Sequence, residues 1–329
     1  MAAIVLSKKT KLGSDFKFGL ELKQKPVQKP KATQSLVKIQ ATALNHRDIW
    51  IMTDMYDGIK LDSVLGADAV GVVVENGPTA AIDVGQRVLI NPGQGWESDA
   101  RGPEGTFGIL GLLPCTLTES VTVDSKELVQ CPDHLSNAEA AALPLAGLTA
   151  YRAVFTKAQV KKGDHVLVTG IGGGVAIIAL QFAVAAGAHV YVTSSSPEKI
   201  QRAVDLGAKG GVNYKDENCI AELKKLVGSN LLSAIIDGAG GPLYSEYPEV
   251  LRAGGIIVNY GQTGSAEGVI YTMSHVKNNI ELRGSTMGSR REFHEMVAFV
   301  KEHKITPVVS QVWQGLNENT VYEALEVMK

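Results

Sequence analysis

Cysteine is scarce in this chain: Cys115, Cys131 and Cys219 stand far apart and form no C-x-x-C pair. That excludes a disulfide framework and a thiolate zinc knuckle, and it makes the reduced thiols of the cytosol the default. An excess of one charge is missing as well. The 32 basic and 34 acidic residues leave a net charge of −2, so there is no basic field to hold nucleic acid or an anionic membrane. Low-complexity tracts and internal repeats are also absent. The start, MAAIVLSKKTK, places a short apolar run before its lysines, whereas a secretory signal needs the opposite order and a longer core. A cytoplasmic location is expected. With 329 residues the chain can form two domains, each with its own core.

The most informative absence is local. Between Asp164 and Glu198 there is no Asp, Glu, Lys or Arg, a run long enough to raise the question of a transmembrane helix. Its internal order argues for something else. Val166-Leu167-Val168 is β-branched and apolar, and it is halted by Gly170 and then Gly172-Gly173-Gly174. AIIALQFAVAA follows as a helix former ending at Gly187, and Val190-Tyr191-Val192-Thr193 reads as a second strand. Strand, turn, helix, strand fits this better than one spanning helix.

The alternation continues. Ser196-Pro197-Glu198 supplies an N-cap, a proline at N1 and an acid in the first turn of a helix closed by Gly207. Strands are expected at 210–214, 231–237 and 256–260, with helices from Asp216 to Gly228 and up to Arg252. This predicts a doubly wound parallel sheet with helices on both faces. Before Asp133 the pattern changes to strand-like segments at 36–44, 69–77 and 86–93, set off by Gly, Pro and Asp turns, as in a mostly β domain. Ala138 to Ala153 reads as a helical connector broken near Pro144.

A glycine-rich turn between a first strand and its helix can serve a dinucleotide. It allows the tight turn and close approach of the pyrophosphate, and the helix N-terminus then offers unpaired N–H groups and a positive dipole end. The motifs ALNHRD (43–48), LGADAVGVV (65–73), VGQRV (84–88), AAALPLAGLTAYRA (140–153), this turn and LRGSTMGSRREF (282–293) occur in an order that resembles the medium-chain dehydrogenase/reductase superfamily, in particular its zinc-free quinone oxidoreductase-like branch. The resemblance implies an α/β architecture with a mostly β GroES-like catalytic domain over residues 1–133, completed by 272–329, and a Rossmann NADP(H)-binding domain over 134–271. It puts Gly172, Gly173, Gly174 and Val175 against the pyrophosphate, with Ala176 at the third fingerprint position. Thr149 would lie near the nicotinamide ring, and Gly238, Tyr260 and Gly261 at the carboxyl edge of the sheet.

An acid after the second strand would bind the ribose hydroxyls of NAD. Here that strand ends in Ser194-Ser195-Ser196, and Glu198 is already in the helix. A carboxylate about 5 Å from a 2′-phosphate would repel it by roughly 3 kcal/mol per unit charge at an effective dielectric near 20. Its absence opens the site to NADPH, and the resemblance assigns the 2′-phosphate to Ser195, Lys199 and Tyr214.

Zinc-dependent members of the superfamily have cysteine and Gly-His-Glu where this chain has Asn45 and Gly66-Ala67-Asp68, and Asn91 to Gly111 holds no cysteine for a structural zinc. No metal is expected. Without zinc to stabilise an alkoxide, acceptors that spread charge themselves are favoured: quinones and α,β-unsaturated carbonyls. The resemblance makes Asn45 and Asp48 cleft residues and gives Tyr56 a hydrogen bond to the substrate carbonyl. Turn or helix-cap chemistry is the alternative for the first two. Asp68 reads as a buried, paired acid, and Arg47 and Trp50 as shape and packing residues. The expected activity is NADPH-dependent reduction of quinones or enones, with a non-catalytic NADP(H)-binding redox sensor or scaffold as the alternative. The expected assembly is a homodimer through the cofactor domain, involving residues 268–273. Three positions depart from the pattern: Cys115 and Asp54 stand where relatives often have glycine, and Met328-Lys329 ends the chain where relatives continue into a last strand of the catalytic sheet.

Overall fold

The computed structural model describes residues 1–8, 15–56, 58–109, 115–264 and 268–329. Of the segments singled out above, Lys9 to Lys11 after the apolar start, and Leu110 and Gly111 at the end of the span from Asn91, lie outside the described residues. The chain divides into two units. One comprises Met1–Leu145 with Ser289–Lys329, the other Ala146–Gly288.

In the first unit, segments rich in β-branched residues build a five-stranded antiparallel sheet. Its order is Ser120–Asp124, Gln34–Ala43, Asp68–Asn76, Arg87–Ile90, Leu128–Gln130. One face buries Val37, Val73, Val88, Ile90 and Val121. A second core gathers Ile4, Leu6, Ile51, Met52, Leu65, Tyr322 and Leu325, so the helix His46–Met52 and the last helix Glu318–Met328 share apolar contacts.

The cysteine-free segment after Asn91 forms a short hairpin, Gly93–Gln94 with Gly108–Ile109. Its organising group is a carboxylate. Glu104 accepts the backbone N–H groups of Glu97, Ser98 and Asp99 at 2.7–2.8 Å, while Trp96 meets Phe107 edge-on. Those bonds, led by the one from Glu97, hold the Glu104 carboxyl down at about 2.

The second unit is a six-stranded, fully parallel sheet. Its order is Gly210–Val212, His189–Thr193, His165–Val168, Leu232–Asp237, Leu251–Asn259, Glu281–Gly284. The chain reverses direction between the strands at 165 and 232, which opens the crevice where doubly wound sheets bind ligands. The uncharged run resolves into strand, turn and the helix Gly174–Ala185, whose Ile178, Leu180 and Phe182 are buried. Among the described residues no helix is long and apolar enough to cross a membrane.

Three expectations are corrected. The first crossing falls after Leu145 rather than Asp133, because Arg87 donates twice to Asn137 Oδ1 and Leu145 N–H donates to Asp68, tying 134–145 to the β unit. The return falls after Gly288 rather than 271, because Glu281–Gly284 extends the parallel sheet beside Leu251–Asn259. The stretch before Arg252 is no long helix. Pro242 and Pro248 open two single 3₁₀ turns, Pro242–Ser245 and Tyr247–Glu249, since a proline cannot donate inside a helix. The strand then begins at Leu251 and absorbs Gly254-Gly255 as a register irregularity. The connector breaks as expected, into Asn137–Ala141 and Pro144–Tyr151, and the second piece continues as a π-helical turn, Arg152–Lys157.

Candidate active site

In the parallel unit the glycine turn is a surface of bare backbone. Gly170 (φ 62°) and Gly172 (φ 155°) take conformations that L side chains rarely adopt. Gly173 is the N-cap of the helix that starts at Gly174, so its first N–H groups have no side chain to satisfy them. Lys199 lies over this turn: a Cβ on Gly172 would come within 3.1 Å of its Cδ and 3.2 Å of Nζ. The lysine is placed by its own helix, Pro197–Asp205, where Ser196 Oγ accepts the Lys199 N–H at 3.3 Å. Glu198, the first acid in sequence after the second strand of this sheet, is paired with Arg202 at 2.6 Å.

Ser195 and Tyr214 are exposed, and each lies two residues beyond a register pair of adjacent strands, Thr193 and Val212. Val175 is half-buried in the first turn and Ala176 fully buried beneath it. Thr149 is buried, with its hydroxyl 3.7 Å from Met287 Sδ.

At the carboxyl edge, Asp237 is a hub that the sequence reading passed over. Its carboxylate is fully buried and accepts from Thr169 Oγ1, Tyr244 Oη (2.8 Å), Asn259 Nδ2 (3.0 Å) and Gly240 N–H (2.9 Å). These bonds pin the loop after its own strand to the loop after the next, where Asn259 Nδ2 also donates to the Gly261 carbonyl. Tyr260 is packed against Gly238, where a Cβ would fall 2.4 Å from its ring. Burial pushes the Tyr260 and Tyr244 phenols up, and both remain neutral. The signal that could have found Asp237 was an acid ending an otherwise apolar central strand.

The β unit carries a constellation of side chains. Asn45 is the N-cap of His46–Met52, and Asp48 in the first turn accepts the Asn45 backbone N–H on Oδ2 at 2.8 Å. Cap chemistry, the alternative reading of Asp48, is therefore one thing this residue does. Asn45 Nδ2 donates instead to Asp68 Oδ2 at 3.0 Å, and Asp68 Oδ1 accepts the Leu145 N–H at 2.8 Å. Burial, ahead of these bonds, raises the Asp68 carboxyl to about 7; burial raises Asp48 too.

Arg47, expected to be a packing residue, is only 6% exposed. Its Nη1 is 3.6 Å from Asp48 Oδ1, and its guanidinium carbon is 5.0 Å from the centre of the Tyr56 ring. Among the described residues none of its three nitrogens has a hydrogen-bond partner, and neither has Asp48 Oδ1. Tyr56 is half-buried in the segment after Asp54, whose φ of 63° accounts for the glycine that relatives prefer there. The structure thus groups Asn45, Asp48 and Asp68 by contact and joins Tyr56 to them through Arg47. His46 packs edge-on against Trp50 instead. All three cysteines are buried, Cys115 among them.

Comparison with known proteins gives two family matches. The alcohol dehydrogenase GroES-like domain matches residues 31–133, and the zinc-binding dehydrogenase family matches residues 174–302. A zinc-type alcohol dehydrogenase-like protein, YogA, of Leptosphaeria maculans is 40% identical over 95% of this chain and 92% of its own length. A quinone oxidoreductase of Salmonella typhimurium is 30% identical over 71% of this chain and 66% of its own. The crystal structure of an NAD-dependent alcohol dehydrogenase superposes with a TM-score of 0.87 at 32% identity, covering 99% of this chain and 96% of that one. The chain belongs to the medium-chain dehydrogenase/reductase superfamily of oxidoreductases.

Proposed function

We propose that this member of the superfamily reduces quinones or α,β-unsaturated carbonyls with NADPH and without a catalytic metal. The observation that carries the reading is the Asn45–Asp68 pair. A catalytic zinc needs three nitrogen, sulfur or oxygen ligands with an open fourth position. At the positions aligned with cysteine, histidine and glutamate, this chain has a carboxamide that donates an N–H (Asn45), an alanine (Ala67) and a carboxylate whose two oxygens each already accept a bond (Asp68). That carboxyl is held up to about 7, so much of it is protonated near neutral pH. With no thiolate or imidazole beside it, this donor set does not fit zinc.

The residues of the other unit fit a nicotinamide dinucleotide. Gly172, Gly173, Gly174 and Val175 would hold the pyrophosphate through backbone N–H groups. Lys199, over the turn, would bind a 2′-phosphate with Ser195 and Tyr214, and the pairing of Glu198 with Arg202 keeps that carboxylate engaged elsewhere. Thr149, Gly238, Tyr260 and Gly261 would line the remainder of the cofactor. Reduced nicotinamide, when bound, supplies a hydride. In the β unit Asn45 is oriented by Asp68, and the Tyr56 phenol would donate to the substrate oxygen, which becomes an enolate or hydroquinone anion before it is protonated. The exposed Ile270, Tyr271 and Met273 support a homodimer, which light scattering would check.

The test is NADPH and NADH oxidation against a panel of quinones, enones and enals, with elemental analysis of the same preparation. Turnover with NADPH at less than stoichiometric zinc is expected. Alcohol oxidation that needs stoichiometric zinc would overturn the reading, and NADPH binding without turnover of any acceptor would favour a sensor.

A further inference from the structure

Arg47 is a buried cation with no acceptor. A guanidinium carries five N–H donors, and folded proteins seldom leave such a group both desolvated and unsatisfied. Here all three nitrogens are buried without a hydrogen bond, and Asp48 Oδ1, 3.6 Å from Nη1, is too far to accept one. Asp48 is committed through its other oxygen to capping the helix, which fixes the ion pair at that loose distance. The Tyr56 ring lies 5.0 Å from the guanidinium carbon and belongs to an irregular segment rather than to a helix or strand. Asp48 and Tyr56 thus both neighbour the cation and neither accepts a hydrogen bond from it. The missing partner is an oxygen acceptor.

We infer that Arg47 is a catalytic residue whose guanidinium binds the substrate's carbonyl oxygen and stabilises the negative charge that collects there. The inference rests on the reductase reading and adds the group that replaces a metal cation. In the step it serves, a hydride, freed as a C–H bond of the reduced nicotinamide breaks and that ring is oxidised, would bring its electron pair to the conjugated carbon and form a new C–H bond. The C=C π pair becomes the new bond to the carbonyl carbon, and the C=O pair moves onto oxygen. Arg47 donates hydrogen bonds to that oxyanion but keeps its protons, since guanidinium does not deprotonate in proteins. Solvent or the Tyr56 phenol returns the proton.

The experiment compares wild type with Arg47→Met and Arg47→Lys in two assays. One is kcat/KM with an enone. The other is titration of a chromogenic nitrophenol, an unreactive oxyanion probe, bound to the full-length protein without cofactor and displaced by the enone. Wild type is expected to bind the phenolate form in preference, lowering the probe's apparent pKa. Arg47→Met is expected to abolish that preference and to lower kcat/KM by about 10²–10³-fold, the effect of removing one oxyanion donor, with NADPH affinity within twofold. Arg47→Lys, which keeps the buried charge, should retain a smaller probe shift; it carries the test if the methionine variant does not fold. A probe that binds wild type with no shift, or an Arg47→Met protein that loses stability but turns over normally, would overturn the inference and leave the reductase reading intact. An Arg47-dependent probe shift in a protein that reduces no acceptor would overturn the reductase reading and the catalytic role with it, leaving Arg47 an oxyanion-binding group.

Discussion

Asp237 and Asp48 are both fully buried carboxylates, and their surroundings are opposite. Asp237, at the edge of the parallel sheet, accepts hydrogen bonds from three side chains and two backbone amides. Asp48, in the β unit, satisfies one oxygen on its own helix and leaves the other facing an equally unsatisfied Arg47. A saturated charge is structural, because every partner it could hold is already present. An unsaturated one stores binding capacity, and its cost is sustained by the surrounding fold. The parallel unit accordingly works through rigid backbone, and the β unit through side chains with free valence.

The comparison can be broken most sharply at Asp237. Asp237→Ala strands the donors of Thr169, Tyr244, Asn259 and Gly240 and is expected to cost roughly 3–5 kcal/mol in urea unfolding, as for other broken buried networks. A loss below about 1 kcal/mol would show that the hub is no more structural than Asp48. Lys199→Glu tests whether the backbone cradle depends on a single side chain. It should raise KM for NADPH by about a hundredfold while leaving NADH within a few-fold, because one attraction becomes one repulsion. Equal effects on both cofactors would remove the 2′-phosphate assignment.

Asp68 sharpens the contrast through pH. Its carboxyl is raised from 3.8 to about 7, so between those values the folded state keeps a proton that the unfolded chain has lost. Its contribution to stability therefore falls as pH rises through that window, by up to roughly 1.4 kcal/mol per unit, and levels off above 7. Unfolding of Asp68→Asn followed against pH should lack that slope. Glu104 has the opposite sign: held at about 2, its stabilisation is present above the ordinary glutamate pKa and is lost as pH falls toward 2. It is an exposed loop residue, so Glu104→Gln should have the smallest effect. Faster amide exchange at Glu97, Ser98 and Asp99 is expected, with unchanged exchange in the sheet strands.

Legibility in the sequence followed the same division. Glycine spacing after a β-branched run announces a backbone site, since L side chains rarely adopt the φ values at Gly170 and Gly172. Asn45 and Asp48 were legible as a motif, and Asp68 as a buried acid. Arg47 was not, because an arginine on a short helix reads as a solvated or packing residue until its neighbours are known. Asp237 was hidden for a related reason: an acid closing a strand looks like a turn residue, and its partners come from positions 169, 244 and 259. The boundaries at Leu145 and Gly288 were missed because single contacts such as Leu145 N–H to Asp68 decide them.

Local rules alone dictated the alternating strands and helices, the glycine turn, the prolines that stop helices, and the lack of an acid after the second strand of the parallel sheet. Each of these depends on steric or capping preferences within a few residues. Tertiary structure decided which charges are satisfied. Hydrogen bonding and desolvation depend on atoms brought together from distant parts of the chain, and that distribution separates the saturated Asp237 from the hydrogen-bond-deficient Arg47.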